Sequence, residues 1–164
     1  MLKLALIGKE IQHSLSPEIY SDFLGDQLTI YDLLDYPNEK VIPEASVLLS
    51  LYNGISITSP YKKVFMDKVR LTPGAEALGA INCLGIIKGE IVGENTDYLA
   101  IVSIISNWKK KMGPLSVIIL GDGVMSKITE FALKNLGISF KTLSRRTVDE
   151  FSQINLSQIG RAHV

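Results

Sequence analysis

Apolar and polar positions along this chain switch between two periods, and the switches predict its elements. Residues 2–7 are an apolar run stopped by Gly8, the pattern of a short buried strand. Ser16-Pro17-Glu18 signals a helix start, with Ser16 as N-cap, proline in the first turn and an acid to meet the helix dipole. Residues 28–34 read as a strand. Residues 41–51 read as a helix whose first turn must hold Pro43. Residues 55–58 (Ile-Ser-Ile-Thr) alternate as a strand that stops before Pro60, and a helix is expected over 62–69.

Farther along, 80–87 and 90–92 predict a hairpin about Lys88-Gly89. Asn95-Thr96-Asp97 then caps a long amphipathic helix with Leu99, Val102, Ile105 and Trp108 on one stripe, broken at Gly113-Pro114. A strand over 115–120, a tight turn over 121–123, a helix over 126–136 ended by Gly137 and a strand over 138–143 complete the pattern. Strand–helix alternation of this kind predicts α/β layers.

Composition narrows the picture further. An apolar share of 46% and a positive mean hydropathy suit a packed core. Lys+Arg and Asp+Glu number 17 each, so no long-range field recruits nucleic acid or an anionic membrane. The basic run Lys109-Lys110-Lys111 falls at a helix end, where it suits the dipole. Cys83 is the sole cysteine, which excludes an internal disulfide and a cysteine-rich zinc site, and no metal centre is expected. No signal-peptide layout and no apolar run of membrane-spanning length occur, so the expected setting is cytoplasmic.

Strand, Gly121-Asp122-Gly123-Val124-Met125-Ser126, helix and strand together form a dinucleotide fingerprint. Gly121 allows the turn, Gly123 lets backbone approach a pyrophosphate, and small Ser126 stands where a third glycine usually does. The bland reading, glycines serving only the backbone, is weakened by the flanking elements. Asp122 opposes a pyrophosphate unless its side chain turns away. An acid ~20 residues past the glycines would bond the ribose of NAD; here Ser144-Arg145-Arg146 stands instead, and guanidinium groups suit the 2′-phosphate of NADP(H).

Polar clusters also stand at the ends of the N-terminal strands: Ser14 and Ser16; Ser56, Thr58 and Lys62; and Asn82 with Asn95-Thr96-Asp97. Open α/β sheets bind ligands at strand ends, and Lys62 with Asp97 could form an ammonium–carboxylate pair there. Taken alone, Lys62 is a solvated lysine, Asp97 a helix cap and Thr58 strand surface. His13 beside Ser14 is read as structural or loop-lining, since adjacent side chains rarely face each other.

These residues resemble the shikimate dehydrogenase family. His13-Ser14-Leu15-Ser16-Pro17 looks like its first substrate loop. Gly54-Ile55-Ser56-Ile57-Thr58-Ser59-Pro60-Tyr61-Lys62 resembles its Gly-x-Asn-Val-Thr-x-Pro-x-Lys motif, and Gly79-Ala80-Ile81-Asn82-Cys83 and Gly93-Glu94-Asn95-Thr96-Asp97 resemble two further signatures. The resemblance implies an N-terminal α/β substrate-binding domain over 1–100, a connecting helix over 101–113 and the first part of a Rossmann-type dinucleotide-binding domain over 114–157. It implies NADPH-dependent reduction of 3-dehydroshikimate to shikimate, in the route through chorismate to the aromatic amino acids. Ser14 and Ser16 would bind the substrate carboxylate. Thr58, Asn82 and Asp97 would contact ring hydroxyls, and Lys62 and Asp97 would be the catalytic pair. Gly121, Gly123, Ser126, Ser144, Arg145 and Arg146 would hold the cofactor, Arg145 inheriting the 2′-phosphate contact.

The sequence departs from that pattern at several positions. Ser56 replaces the usual Asn, shortening or losing a substrate hydrogen bond; Cys83 replaces Thr, a packing change; and Val124-Met125 replaces Gly-Ala. A six-stranded dinucleotide domain needs roughly 180 residues at ~30 per βα unit. The stretch 114–164 holds two strands and one helix, so an incomplete cofactor domain is expected, and with it shikimate binding without turnover by these residues alone. Residues 158–164 (Gln-Ile-Gly-Arg-Ala-His-Val) resemble the translation of a sequencing-adapter sequence, which predicts a non-native tail. A quinate/shikimate dehydrogenase-like relative and a substrate-binding module without hydride transfer are the competing readings, and homo-oligomerisation is compatible with all of them.

Overall fold

The computed structural model describes residues 1–144; Arg145, Arg146 and the tail 158–164 lie outside the described residues. The chain divides into two compact units, Met1–Leu99 and Ala100–Val164.

In the first unit, β1 (Leu2–Gly8) lies parallel to both β2 (Leu28–Asp35) and β3 (Gly54–Ile57). β5 (Cys83–Ile87) runs antiparallel to β3 and to β6 (Glu90–Glu94), and β4 (Arg70–Leu71) closes the sheet parallel to β6. The order is β2-β1-β3-β5-β6-β4. Side chains alternate across such a sheet, so its faces differ. Ala5, Ile7, Ile55 and Ile57 are buried on one face with Leu48 and Leu49 of α2 (Ala45–Leu51), and this is the core. In register, Leu4 stands opposite Tyr31 and Gly54, and Leu6 opposite Leu33 and Ser56, so these residues share the other face. There α1 (Ser16–Leu24) sets Tyr20 against Tyr31, ring centroids 4.9 Å apart.

Local departures from the sequence reading have physical causes. No helix forms over 62–69. The N–H groups of Val64, Met66 and Lys68 donate three residues back, to Tyr61, Lys63 and Phe65, giving consecutive turns that drop Tyr61 and Phe65 into the core. Ser16 is not an N-cap, because Leu15 holds that place and the Ser14 hydroxyl accepts from the Ser16 N–H at 3.3 Å. The helix expected from 41 begins at Ala45, after Pro43, and a 3-10 turn over Glu39–Val41 takes its first positions. α3 (Pro73–Leu78) was not anticipated, although Thr72 caps it, Pro73 opens it and left-handed Gly79 ends it. The first hairpin strand begins at Cys83 rather than 80; Lys88 (φ 52°) and Gly89 (φ 83°) make its tight turn.

α4 (Thr96–Met112) begins in the first unit and continues into the second. Of its predicted stripe Ile105 is buried, while Leu99 and Trp108 stay about half exposed. In the second unit β7 (Ser116–Leu120), α5 (Val124–Asn135) and β8 (Ser139–Leu143) form a βαβ unit with its two strands parallel. Ile119, Ile128, Ala132, Leu133, Ile138 and Leu143 are buried within it. α5 starts at Val124, two residues earlier than the pattern suggested, because extended Gly123 already serves as its N-cap. Lys109 donates to the Leu136 carbonyl at 3.0 Å, so the basic run serves the negative end of α5.

Candidate active site

The site starts from the loop after β1. Gly8 is required because a Cβ there would collide with the side chains of Ile11 and Thr58. The loop then turns back on itself, with Ser14 N–H donating to Ile11 O at 2.9 Å. The Asp35 carboxylate pins it by accepting from the N–H groups of Glu10 (2.9 Å) and Ile11 (3.4 Å). Those bonds, led by the one from Glu10 and helped by the Gln12 side chain, hold the Asp35 carboxyl below its ordinary range. The sequence reading missed Asp35, which its place at a strand end could have flagged.

Ser14 and Ser16 hydroxyls come within 3.1 Å of each other. Ser16 lines a cleft of about 270 Å³ with Tyr20, Ser56, Thr58, Lys62, Asn82, Cys83, Thr96 and Asp97. Larger hollows of about 510 and 400 Å³ lie elsewhere in the unit, but neither gathers so many converging polar groups. Ser56 and Thr58 face the cleft because Ile55 and Ile57, alternating with them, are committed to the core.

Lys62 and Asp97 meet here. Lys62 Nζ donates to Asp97 Oδ2 at 3.0 Å, with the side chains 28% and 32% exposed. Two arrangements bring them together. The Lys62 carbonyl accepts from the Ile81 N–H at 2.9 Å, tying the turns after β3 to the strand that leads to Asn82. Asn95, 1% exposed, caps α4 by accepting from the Tyr98 N–H at 3.1 Å and donates to the Ala80 carbonyl at 3.1 Å. Asn82 Oδ1 accepts from the Thr96 N–H (2.8 Å) and hydroxyl (3.1 Å), which leaves its NH₂ to donate to a ligand. Ser16, Thr58, Lys62, Asn82 and Asp97 thus share one cleft, and Ser14 joins them through Ser16.

Two cleft groups were not foreseen. Tyr20 lines the wall, and behind it the Tyr31 hydroxyl is buried without a hydrogen-bond partner among the described residues. Burial pushes the Tyr31 phenol up, and the neighbouring Ser56 and Ser16 hydroxyls pull against that rise. Burial likewise pushes the Cys83 thiol up, reinforced by Glu94, so Cys83 stays a neutral lining group. Among the described residues no cluster of metal-ligating side chains occurs.

In the second unit, Gly121 adopts φ 108°, a conformation that L side chains rarely take. Around Gly123 a Cβ would meet nothing within 4 Å, and α5 receives no side-chain cap from it. A parallel βαβ turn with an open glycine at the helix N-terminus fits a dinucleotide pyrophosphate. Ser126 is in the first turn of α5, its hydroxyl 3.7 Å from where a Cβ on Gly121 would stand, and Ser144 is buried just past β8.

Residues 6–84 match the shikimate dehydrogenase substrate binding domain. The chain is 32% identical over 163 residues to shikimate dehydrogenase (NADP(+)) of Oceanobacillus iheyensis, covering 93% of this chain and 58% of that protein. It is 26% identical over 150 residues to the Thermotoga maritima protein of the same name, covering 90% and 56%. The chain therefore spans little more than half the length of these relatives. Among solved structures, a chorismate mutase/shikimate 5-dehydrogenase fusion from Clostridium acetobutylicum shares the fold (TM-score 0.70, 24% identity, 94% of this chain, 60% of that one). Shikimate 5-dehydrogenase of Thermus thermophilus, solved with NADP(H) and shikimate, superimposes with TM-score 0.63 at 25% identity over 93% of this chain and 61% of that one. Through its substrate-domain match over residues 6–84 and four ordered motifs, this chain is similar to the shikimate dehydrogenases.

Proposed function

We propose that the chain supplies the substrate cleft and catalytic pair of an enzyme that reduces 3-dehydroshikimate to shikimate with NADPH. The observation that carries this reading is the 3.0 Å Lys62–Asp97 pair in one cleft with Ser16, Thr58 and Asn82. Making an alcohol from a ring ketone needs a hydride at carbon and a proton at oxygen. Bound NADPH supplies the hydride. The Lys62 ammonium stabilises the negative charge that grows on the carbonyl oxygen and delivers its proton. Asp97 holds Lys62 in place and accepts from a ring hydroxyl. Thr58 and the Asn82 NH₂ fix the other ring hydroxyls, and Ser14 and Ser16 donate to the carboxylate.

Residues 1–100 would then be the substrate-binding domain, 101–113 the connecting helix and 114–157 cofactor-binding. Gly121, Gly123 and Ser126 would meet the pyrophosphate, and Ser144, Arg145 and Arg146 the 2′-phosphate. The partners are small molecules, the setting cytoplasmic, and the family reaction belongs to aromatic amino acid biosynthesis. No helix among the described residues is long and apolar enough to cross a membrane.

The test is a titration of shikimate and quinate followed by amide NMR. Shifts confined to Ser14, Ser16, Thr58, Asn82 and Asp97, with shikimate binding the tighter, are the expected result. Tighter quinate binding would move the assignment to the quinate-using relatives, and shifts elsewhere would remove the cleft from it.

A further inference from the structure

The Tyr31 hydroxyl is the one buried side-chain polar atom left without a hydrogen bond among the described residues. An unmade bond of this kind costs stability, so its place in the fold calls for an explanation. Tyr31 is on β2 and Ser56 on β3, with β1 between them. Their strands are about 10 Å apart across the sheet, with Ser56 two residues farther along. They lie on the same face, so the long tyrosine side chain runs over β1 toward Ser56. The Tyr20 ring, itself part of the cleft wall, packs on it at 4.9 Å and fixes that direction. The hydroxyl has the Ser56 and Ser16 side chains of the cleft wall as its neighbours.

We propose that Tyr31 is a positioning residue that acts through Ser56 on the carboxylate of the bound ring acid. The inference rests on the reading of the cleft given above. A serine that donates to a carboxylate has oxygen lone pairs that need a donor of their own. Ser16 has one, since the Ser14 hydroxyl comes within 3.1 Å of it. Ser56 has none among its cleft neighbours, and Tyr31 is the donor behind it. When a carboxylate enters, the Tyr31 O–H donates to Ser56 Oγ and the Ser56 proton turns to the ligand. Serine at position 56 is thereby recruited to the carboxylate end, with the buried phenol as its support.

The experiment compares Tyr31→Phe, Ser56→Ala and the double variant in calorimetric titrations with shikimate and with its uncharged methyl ester. Tyr31→Phe removes one oxygen and keeps the ring on Tyr20, so the fold is retained and the melting temperature is unchanged or raised. Shikimate binding is expected to weaken roughly three- to tenfold, as for one hydrogen bond, with the methyl ester little affected. On the Ser56→Ala background, Tyr31→Phe should add nothing. Equal weakening of both ligands, or the full loss repeated on that background, would overturn the relay through Ser56. Unchanged affinity with a lowered melting temperature would make Tyr31 structural only. If wild type binds neither ligand, the functional assignment itself fails and the relay falls with it.

Discussion

Lys62 and Asp97 are separated by 35 positions in sequence, yet the Nζ–Oδ2 distance is 3.0 Å. The pair sits about one-third exposed, where an ion pair contributes roughly 0–1 kcal/mol to stability. Holding two long-range partners together for so little stability points to chemistry. Lys62→Met should therefore change the unfolding free energy by less than about 1 kcal/mol. Joined to a complete cofactor-binding domain, the variant should lose turnover by roughly 10²–10⁴-fold with a much smaller effect on KM. A raised KM at unchanged kcat would show that Lys62 only binds.

Asp35 gives a prediction with a definite sign. Its carboxyl is held below the ordinary value by N–H donors of the Ser14 loop, led by Glu10. A depressed folded value means stabilisation that is complete above the unfolded pKa of about 3.9 and is lost as pH falls through the folded value. The melting temperature of wild type should exceed that of Asp35→Asn at neutral pH, and the gap should close below about pH 4. Shikimate affinity should fall with it, because the same loop carries Ser14. A gap that stays constant down to pH 3 would detach the loop from this carboxylate.

Much of this fold was legible because period and punctuation agreed. Ile55 and Ile57 declared one buried face, and Ser56 and Thr58 followed onto the other. The two-residue turn at Lys88-Gly89 and the glycine turn at Gly121 were equally plain. The segment after Tyr61 misled because apolar residues that drop into the core from successive turns imitate a helical stripe. Ser14 taking the Ser16 N–H, and Asn95 binding α4 to Ala80, depend on contacts that no spacing encodes. Tyr31 escaped notice for the same reason, and Asp35, although its place at a strand end was a signal, acts on a loop distant in sequence. The four motifs located the cleft, but part of its support, Asp35 and Tyr31, lay outside them.

Tyr52 reports on the opposite end of the pH scale. Its hydroxyl donates to Asp32 Oδ2 at 2.7 Å, and that bond, with burial and the carboxylate charge, pushes the phenol up to about 12. A raised folded value means stabilisation present in full below the unfolded pKa of about 10 and lost as pH rises through the folded one. Tyr52→Phe should thus melt below wild type at neutral pH, with the difference narrowing above about pH 10. Absorbance titration should show one tyrosine ionising near 12 that is missing in the variant. If the two proteins titrate alike, the Asp32 bond is not formed in solution.

Asn95 carries the last prediction, because one side chain there both caps a helix and helps place Asp97. It is 1% exposed, accepts from Tyr98 N–H and donates to the Ala80 carbonyl, both at 3.1 Å. Asn95→Ala removes the cap and leaves a carbonyl short of its donor, at a cost of roughly 1–3 kcal/mol. The first turn of α4 holds Thr96 on Asn82 and Asp97 on Lys62, so shikimate affinity should fall even where the variant remains folded. Asn95→Asp separates the two roles. The introduced carboxylate can still cap, but it cannot donate to Ala80 and it buries a charge. Its stability should be low at neutral pH and recover as acid protonates that carboxyl, the reverse of the Asp35 dependence. Thermal melts from pH 4 to 8 with parallel shikimate titrations check both statements. An Asn95→Ala protein that melts and binds like wild type would show that α4 is positioned by something other than this side chain.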